Sequence, residues 1–238
     1  MIRSLASLLL VVSSLVASSI VTGQARAEGP KPVAVADYSG VIQVCCIGDS
    51  ITQGAGSSKP WPKMLGEALG EKWKFHNYGI GARTLLAKGD FPYTKEKKYQ
   101  QALELKPDVV LLALGTNDSK PHNWEHKAEF VADYKKIIAD IRQANPKVRV
   151  YVLLPIPAYP ANFGITDAVI SKEVLPLVKQ VAAETKSELI DLNTPMLEQA
   201  KLVPDKVHPN ADGHKLMAGV IYEALTGTKP AADAISTK

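Results

Sequence analysis

A chain of 238 residues with 46% apolar and 22% charged residues is sized for one globular domain with a sizeable core, and is too apolar to stay unfolded. The formal charge of +4 falls to +2 once Arg3 and Arg26 are set aside with a leader, which is too mild to call for a polyanionic partner, and no nucleic-acid module is legible. The only cysteines, Cys45 and Cys46, are adjacent, which excludes a disulfide framework and leaves them as small core residues on opposite faces of one strand.

Residues 1–27 read as a signal peptide. Arg3 precedes an apolar, serine-punctuated run, and Ala25-Arg26-Ala27 is a small-x-small site, so cleavage is expected before Glu28. The run is short for a bilayer span, so no stable membrane insertion is expected after cleavage, and the mature protein is expected in the periplasm or outside the cell. Residues 28–40 contain Pro and Gly without periodicity and read as a surface arm. From Val41 the pattern alternates. Strands are expected at 41–47, 74–78, 108–114, 148–154 and 188–191, most of them buried on both faces.

Helices are expected between them at 61–69, 95–105, 127–145 and 167–185. In the third, Phe130, Tyr134, Ile137, Ile138 and Ile141 share one face. A last helix carries Leu216, Met217, Val220, Ile221, Ala224 and Leu225 as a wide apolar stripe, and 227–238 reads as a frayed tail. Strand–helix alternation of this kind implies right-handed crossovers and an α/β fold, with a parallel sheet of about five strands and helices on both faces. The domain is expected over 41–226.

Three segments carry chemistry. Gly48-Asp49-Ser50-Ile51-Thr52-Gln53-Gly54 follows the first strand, which brings the Ser50 hydroxyl to the C-terminal sheet edge where open α/β folds gather ligands. Serine is a nucleophile only if a base takes its proton and donors hold the oxyanion. Gly115-Thr116-Asn117-Asp118 ends the third strand at the same edge and offers the Asn117 amide as such a donor. In Asp205-Lys206-Val207-His208, the spacing of three lets the carboxylate reach Nδ1 of the imidazole and leaves Nε2 free to face the serine. Taken singly, these segments also suit a turn with an Asx cap or a surface ion pair. Their joint occurrence at strand ends points to Ser50, His208 and Asp205 as a catalytic triad.

On these residues the chain resembles the SGNH (GDSL-type) hydrolases, whose blocks are matched by Gly48-Asp49-Ser50, Asn77 to Thr84, Gly115-Thr116-Asn117-Asp118 and Asp205 to His208. The resemblance implies a flavodoxin-like three-layer α/β/α sandwich and ester hydrolysis with neither metal nor other cofactor. It also implies an oxyanion hole made of the Ser50 N–H, a backbone N–H of the second block and the Asn117 side chain. That block reads Asn77-Tyr78-Gly79-Ile80-Gly81-Ala82-Arg83-Thr84. The donor position falls on Ala82 where the family usually has Gly; Ala keeps the N–H but is strained at positive φ, so Gly81 is a second candidate.

His122 and His126 with Glu125 evoke a zinc helix, but the His-Glu-x-x-His order is absent. His76, His122, His126 and His214 have no carboxylate three residues ahead and are expected mostly to face solvent. Asp49, Arg83 and Trp124 are candidate substrate contacts, and the loop of residues 155–164, which leaves the fourth strand at the active edge, is the expected determinant of specificity. Residues 77–90, 115–124 and that loop are similar to the exported sialate O-acetylesterase-like branch. This implies a short acyl group, acetyl above all, on a carbohydrate alcohol. Broad arylesterase, lysophospholipase or thioesterase activity by the same machinery is the enzymatic alternative, and an exported carbohydrate-binding protein without turnover is the non-enzymatic one.

Overall fold

The computed structural model describes residues 29–159 and 162–237. The signal-peptide reading of residues 1–27 and two residues of the 155–164 loop lie outside them. Five parallel strands, β1 (Ile42–Gly48), β2 (Trp73–Asn77), β3 (Val109–Ala113), β4 (Arg149–Leu153) and β5 (Glu188–Ile190), form one sheet in the order β2-β1-β3-β4-β5. Among the described residues eight α-helical segments accompany them: α1 (Ser50–Gln53), α2 (Trp61–Leu69), α3 (Lys97–Glu104), α4 (Pro121–Trp124), α5 (Phe130–Ala144), α6 (Asp167–Val169), α7 (Leu175–Thr185) and α8 (Ala211–Thr226). The order reverses between β1 and β3, so the crevice over the carboxyl ends of those two strands is the topological switch point of an open α/β sheet.

Strand periodicity sorts the core into two halves. Ile42, Val44 and Cys46 face one layer with Trp61, Met64 and Leu65 of α2 and Met217 and Ile221 of α8. Cys45 and Ile47 face the other, with Tyr99 of α3, Phe130 and Ile137 of α5 and Val178 of α7. The five apolar residues of α5 that share a helix face are all buried, each contributing about 1.5–3 kcal/mol of apolar transfer. Cys45 and Cys46 are free thiols with no exposed surface, and burial pushes both far above the ordinary thiol range.

The expected elements are found, with local departures. The third expected helix begins as a 3-10 turn (Lys127–Glu129), and the fourth carries a π turn (Ile170–Val174) between α6 and α7. The arm is tied down: Val33 is buried, its N–H bonds Leu225 O, and Tyr151 Oη and Arg149 donate to the Lys31 carbonyl. The expected frayed tail is corrected as well, because Ile235 is buried in the core layer of α8.

Candidate active site

β1 ends at Gly48, where a Cβ would meet Thr52 Oγ1 at 2.1 Å and the Ala113 carbonyl at 2.8 Å, so only glycine lets the chain turn here. Asp49 caps α1, its Oδ1 accepting the Ile51 N–H at 3.0 Å, and α1 stops after one turn at Gly54 in the left-handed region. Ser50 thus opens a short helix at the switch point. Its Oγ lies 2.9 Å from His208 Nε2, and His208 Nδ1 lies 2.6 Å from Asp205 Oδ2.

His208 follows Asp205 at an offset of three, and the turn between them is held by the acid itself. Asp205 Oδ1 accepts the backbone N–H groups of Val207 at 3.0 Å and His208 at 2.6 Å. Burial pushes the Asp205 carboxyl up, but the hydrogen bonds from His208 and Val207 outweigh it and hold the group below the usual carboxylate range. Asp205 therefore stays an acceptor, so Nδ1 carries the proton and Nε2 presents its lone pair to the Ser50 hydroxyl.

The second block runs over the nucleophile. Ile80 N–H bonds the Gly48 carbonyl at 3.0 Å, Asn77 Nδ2 donates to Thr52 O at 2.8 Å, and a Cβ on Gly81 would stand 3.9 Å from Ser50 Cβ. Gly81 N–H is engaged, donating to Gln53 Oε1 at 2.7 Å. Ala82 adopts φ +63°, and no acceptor for its N–H is present among the described residues. Asn117 Nδ2 donates to the Arg83 carbonyl at 3.2 Å, which brings the side-chain amide against the second block, one residue past Ala82. Asp118 underpins the arrangement. Fully buried, it accepts Leu85 N–H at 3.0 Å and Leu86 N–H at 2.8 Å, pinning the loop from below; burial pushes its carboxyl up to about 7 against those two bonds.

Among the described residues, five that are not glycine have φ in the left-handed region. Lys106 and Lys186 end helices. The other three, Ala82, Phe163 and Lys206, lie on the loops that form this site, and such strain costs about 1–3 kcal/mol each where packing does not relieve it.

Three expectations are corrected. Asp49 is not placed as a substrate contact: it is buried, its Oδ1 is given to the α1 cap, and burial raises its carboxyl to about 6 against the Ile51 and His208 interactions. Trp124 belongs to the core, its ring 5.4 Å from that of Phe130 and its Nε1–H donating to Glu173 at 3.0 Å. The Arg83 guanidinium is occupied by Glu96 at 2.8 Å and the Gly81 carbonyl at 2.8 Å, and its planar end lies over the Phe91 ring, so it braces the second block. His122 pairs with Asp90 at 3.1 Å, and the described residues hold no group of three or more His, Cys, Asp or Glu placed to bind a metal ion.

His214, one of four histidines expected mostly to face solvent, is fully buried in α8. Its Nδ1 accepts the Trp61 N–H at 3.3 Å and its Nε2–H donates to the Ala55 carbonyl at 3.2 Å, which joins the segment after α1 to the helix that begins two residues beyond Pro209. The pair of bonds requires a neutral ring, and burial lowers its proton affinity. The unfolded chain takes that proton near pH 6.5, so stability is lost as pH falls below this value. His214→Gln is expected to flatten the fall of the urea midpoint between about pH 6.5 and 5; an unchanged slope would remove His214 as its source.

A Ser–His–Asp chain at the switch point of an open parallel α/β sheet is a site of the serine-hydrolase type. The chain belongs to the GDSL-like lipase/acylhydrolase family, which it matches over residues 46–216. It is 39% identical to an acetylxylan esterase of Xylanibacter ruminicola over 77% of this chain and 43% of that protein, so it spans less than half the relative's length. Among solved structures, the carbohydrate acetylesterase Est24 of Sinorhizobium meliloti shares the fold at TM-score 0.63 and 21% identity, over 76% of this chain and 97% of that one. The aryl esterase of M. smegmatis does so at TM-score 0.63 and 18% identity, over 77% and 97%.

Proposed function

We propose that the protein is a serine esterase that removes short acyl groups, acetyl above all, from carbohydrate alcohols. The observation that carries the ester-hydrolase reading is the unbroken chain Asp205–His208–Ser50 beneath unengaged backbone N–H groups. The carbohydrate alcohol is supported by the 39% identity to an acetylxylan esterase.

In this mechanism Ser50 Oγ attacks the ester carbonyl while His208 Nε2 takes its proton, and Asp205 holds the imidazole in the required tautomer and stabilises the imidazolium. The carbonyl oxygen becomes negative as the tetrahedral centre forms. The Ser50 N–H, the Ala82 N–H and the Asn117 Nδ2–H are the donors for it; Gly81, its N–H already given to Gln53, is the weaker candidate. His208 then passes the proton to the departing alcohol, and water admitted by the same route releases the acid from the acyl-enzyme. Ala82 is held at φ +63° with its N–H given to no partner among the described residues, which leaves that donor for the oxyanion and gives the strain a purpose. We further propose that residues 1–27 direct export and are removed before Glu28.

The test is a substrate panel with the purified protein: acetylated methyl xylopyranosides and acetylated xylan against p-nitrophenyl octanoate and a lysophospholipid. Highest kcat/KM on the acetylated sugars is expected. Preference for the long acyl chains defeats the carbohydrate assignment while leaving ester hydrolysis standing.

A further inference from the structure

We propose that Phe163 is the platform on which the sugar ring of the leaving alcohol stacks, an inference that rests on the carbohydrate-ester reading above. Its ring centroid lies 5.7 Å from that of His208, tilted by 52°. At 59% exposure it is the most exposed large apolar side chain among the described residues, so folding gains little from its burial. It is nevertheless held in the left-handed region at φ +54°, followed by Gly164 at φ +77°. An exposed, apolar residue in a strained conformation beside the acid–base group is what a ligand contact looks like before the ligand arrives.

The turn that presents the ring is built onto the catalytic loop. Asn162 Oδ1 accepts the Phe163 N–H at 2.9 Å, Asn162 O accepts the Ile165 N–H at 2.8 Å, and Asn162 Nδ2 donates to the Asp205 carbonyl at 2.7 Å. The aromatic ring is thereby registered to the acid that orients His208.

Reaction chemistry then fixes which half of the ester meets it. His208 must hand its proton to the alcohol oxygen as the acyl bond breaks, so the departing alcohol passes beside the imidazole, while the carbonyl oxygen points to Asn117 and Ala82. A ring in contact with the imidazole is on the alcohol side. Phe carries no hydrogen-bonding group, so it reads an apolar face; a pyranoside with equatorial substituents offers one in its axial C–H groups. The platform therefore selects for a pyranose face and tolerates variation in the hydroxyl pattern.

The test compares the full-length protein with Phe163→Leu and Phe163→Trp on acetylated methyl xylopyranoside and on ethyl acetate, whose alcohol has no ring face. Phe163→Leu is expected to lower kcat/KM on the sugar ester about tenfold, mainly through KM, and Phe163→Trp to restore it, with ethyl acetate changed less than about twofold and the pH profile unmoved. Equal losses on both esters, or a displaced acidic limb, would mean that the ring shields His208 and would overturn the platform. No change on either ester overturns it too. Wild-type protein that cleaves ethyl acetate but not the sugar ester sinks the carbohydrate reading itself, whereas an active wild type with an unaffected Phe163→Leu sinks the platform alone.

Discussion

Ser50→Ala is expected to lower kcat for p-nitrophenyl acetate by about 10⁵–10⁶-fold while leaving thermal unfolding unchanged. The Oγ makes one hydrogen bond, to His208, and its removal leaves the α1 cap from Asp49 and the Asn77 and Gln53 contacts of that turn in place. No other hydroxyl lies within hydrogen-bonding distance of His208 Nε2 among the described residues, so no substitute nucleophile is at hand. Residual turnover, about 10³–10⁴-fold above water, is the share left to binding and the oxyanion donors. Steady-state rates and circular dichroism melts on the same preparation check this, and a variant that keeps more than a hundredth of the wild-type rate would remove Ser50 from the mechanism.

Asp205→Asn is expected to lower kcat by about 10⁴-fold with little change in KM. The geometry dictates the reason. Oδ1 already accepts two backbone N–H groups, so the asparagine oxygen keeps that place and its NH₂ falls where Oδ2 met His208 Nδ1. An amide donor there forces the proton onto Nε2, facing the Ser50 hydroxyl, and the imidazole can no longer accept. The loop stays folded because the Oδ1 bonds survive. Asp205→Ala loses those bonds as well, so its melting temperature should fall where that of Asp205→Asn holds. Equal activity in wild type and Asp205→Asn would show that orientation of His208 does not depend on the acid.

The architecture was readable because its causes are local. Apolar runs such as Val109 to Leu112 are buried on both faces, and the α5 stripe has the helical period, so element type and order follow from pattern alone. The meeting of Ser50, His208 and Asp205 was readable for a related reason: an offset of three limits where the Asp205 carboxylate can reach, and a strand end fixes the edge at which Ser50 emerges. Tertiary contacts decided the rest. Gly81 and Ala82 differ as donors because of Gln53, 28 residues away, whose side chain takes one N–H and leaves the other. His214 looked like a surface histidine until the Trp61 N–H and Ala55 carbonyl supplied partners from a distant segment. Trp124 sits on a loop in sequence, yet Phe130 and Glu173 draw it inward. The position of Phe163 beside His208 depends on the Asn162 bond to Asp205, which spans 43 residues and leaves no local trace.

The two sulfhydryls of β1 carry a practical consequence. Attack on an oxidant or an electrophile requires the ionised sulfur, and both groups are sealed inside the sheet in the protonated form. Iodoacetamide, dithiothreitol and moderate peroxide should therefore leave both thiols of the native protein untouched.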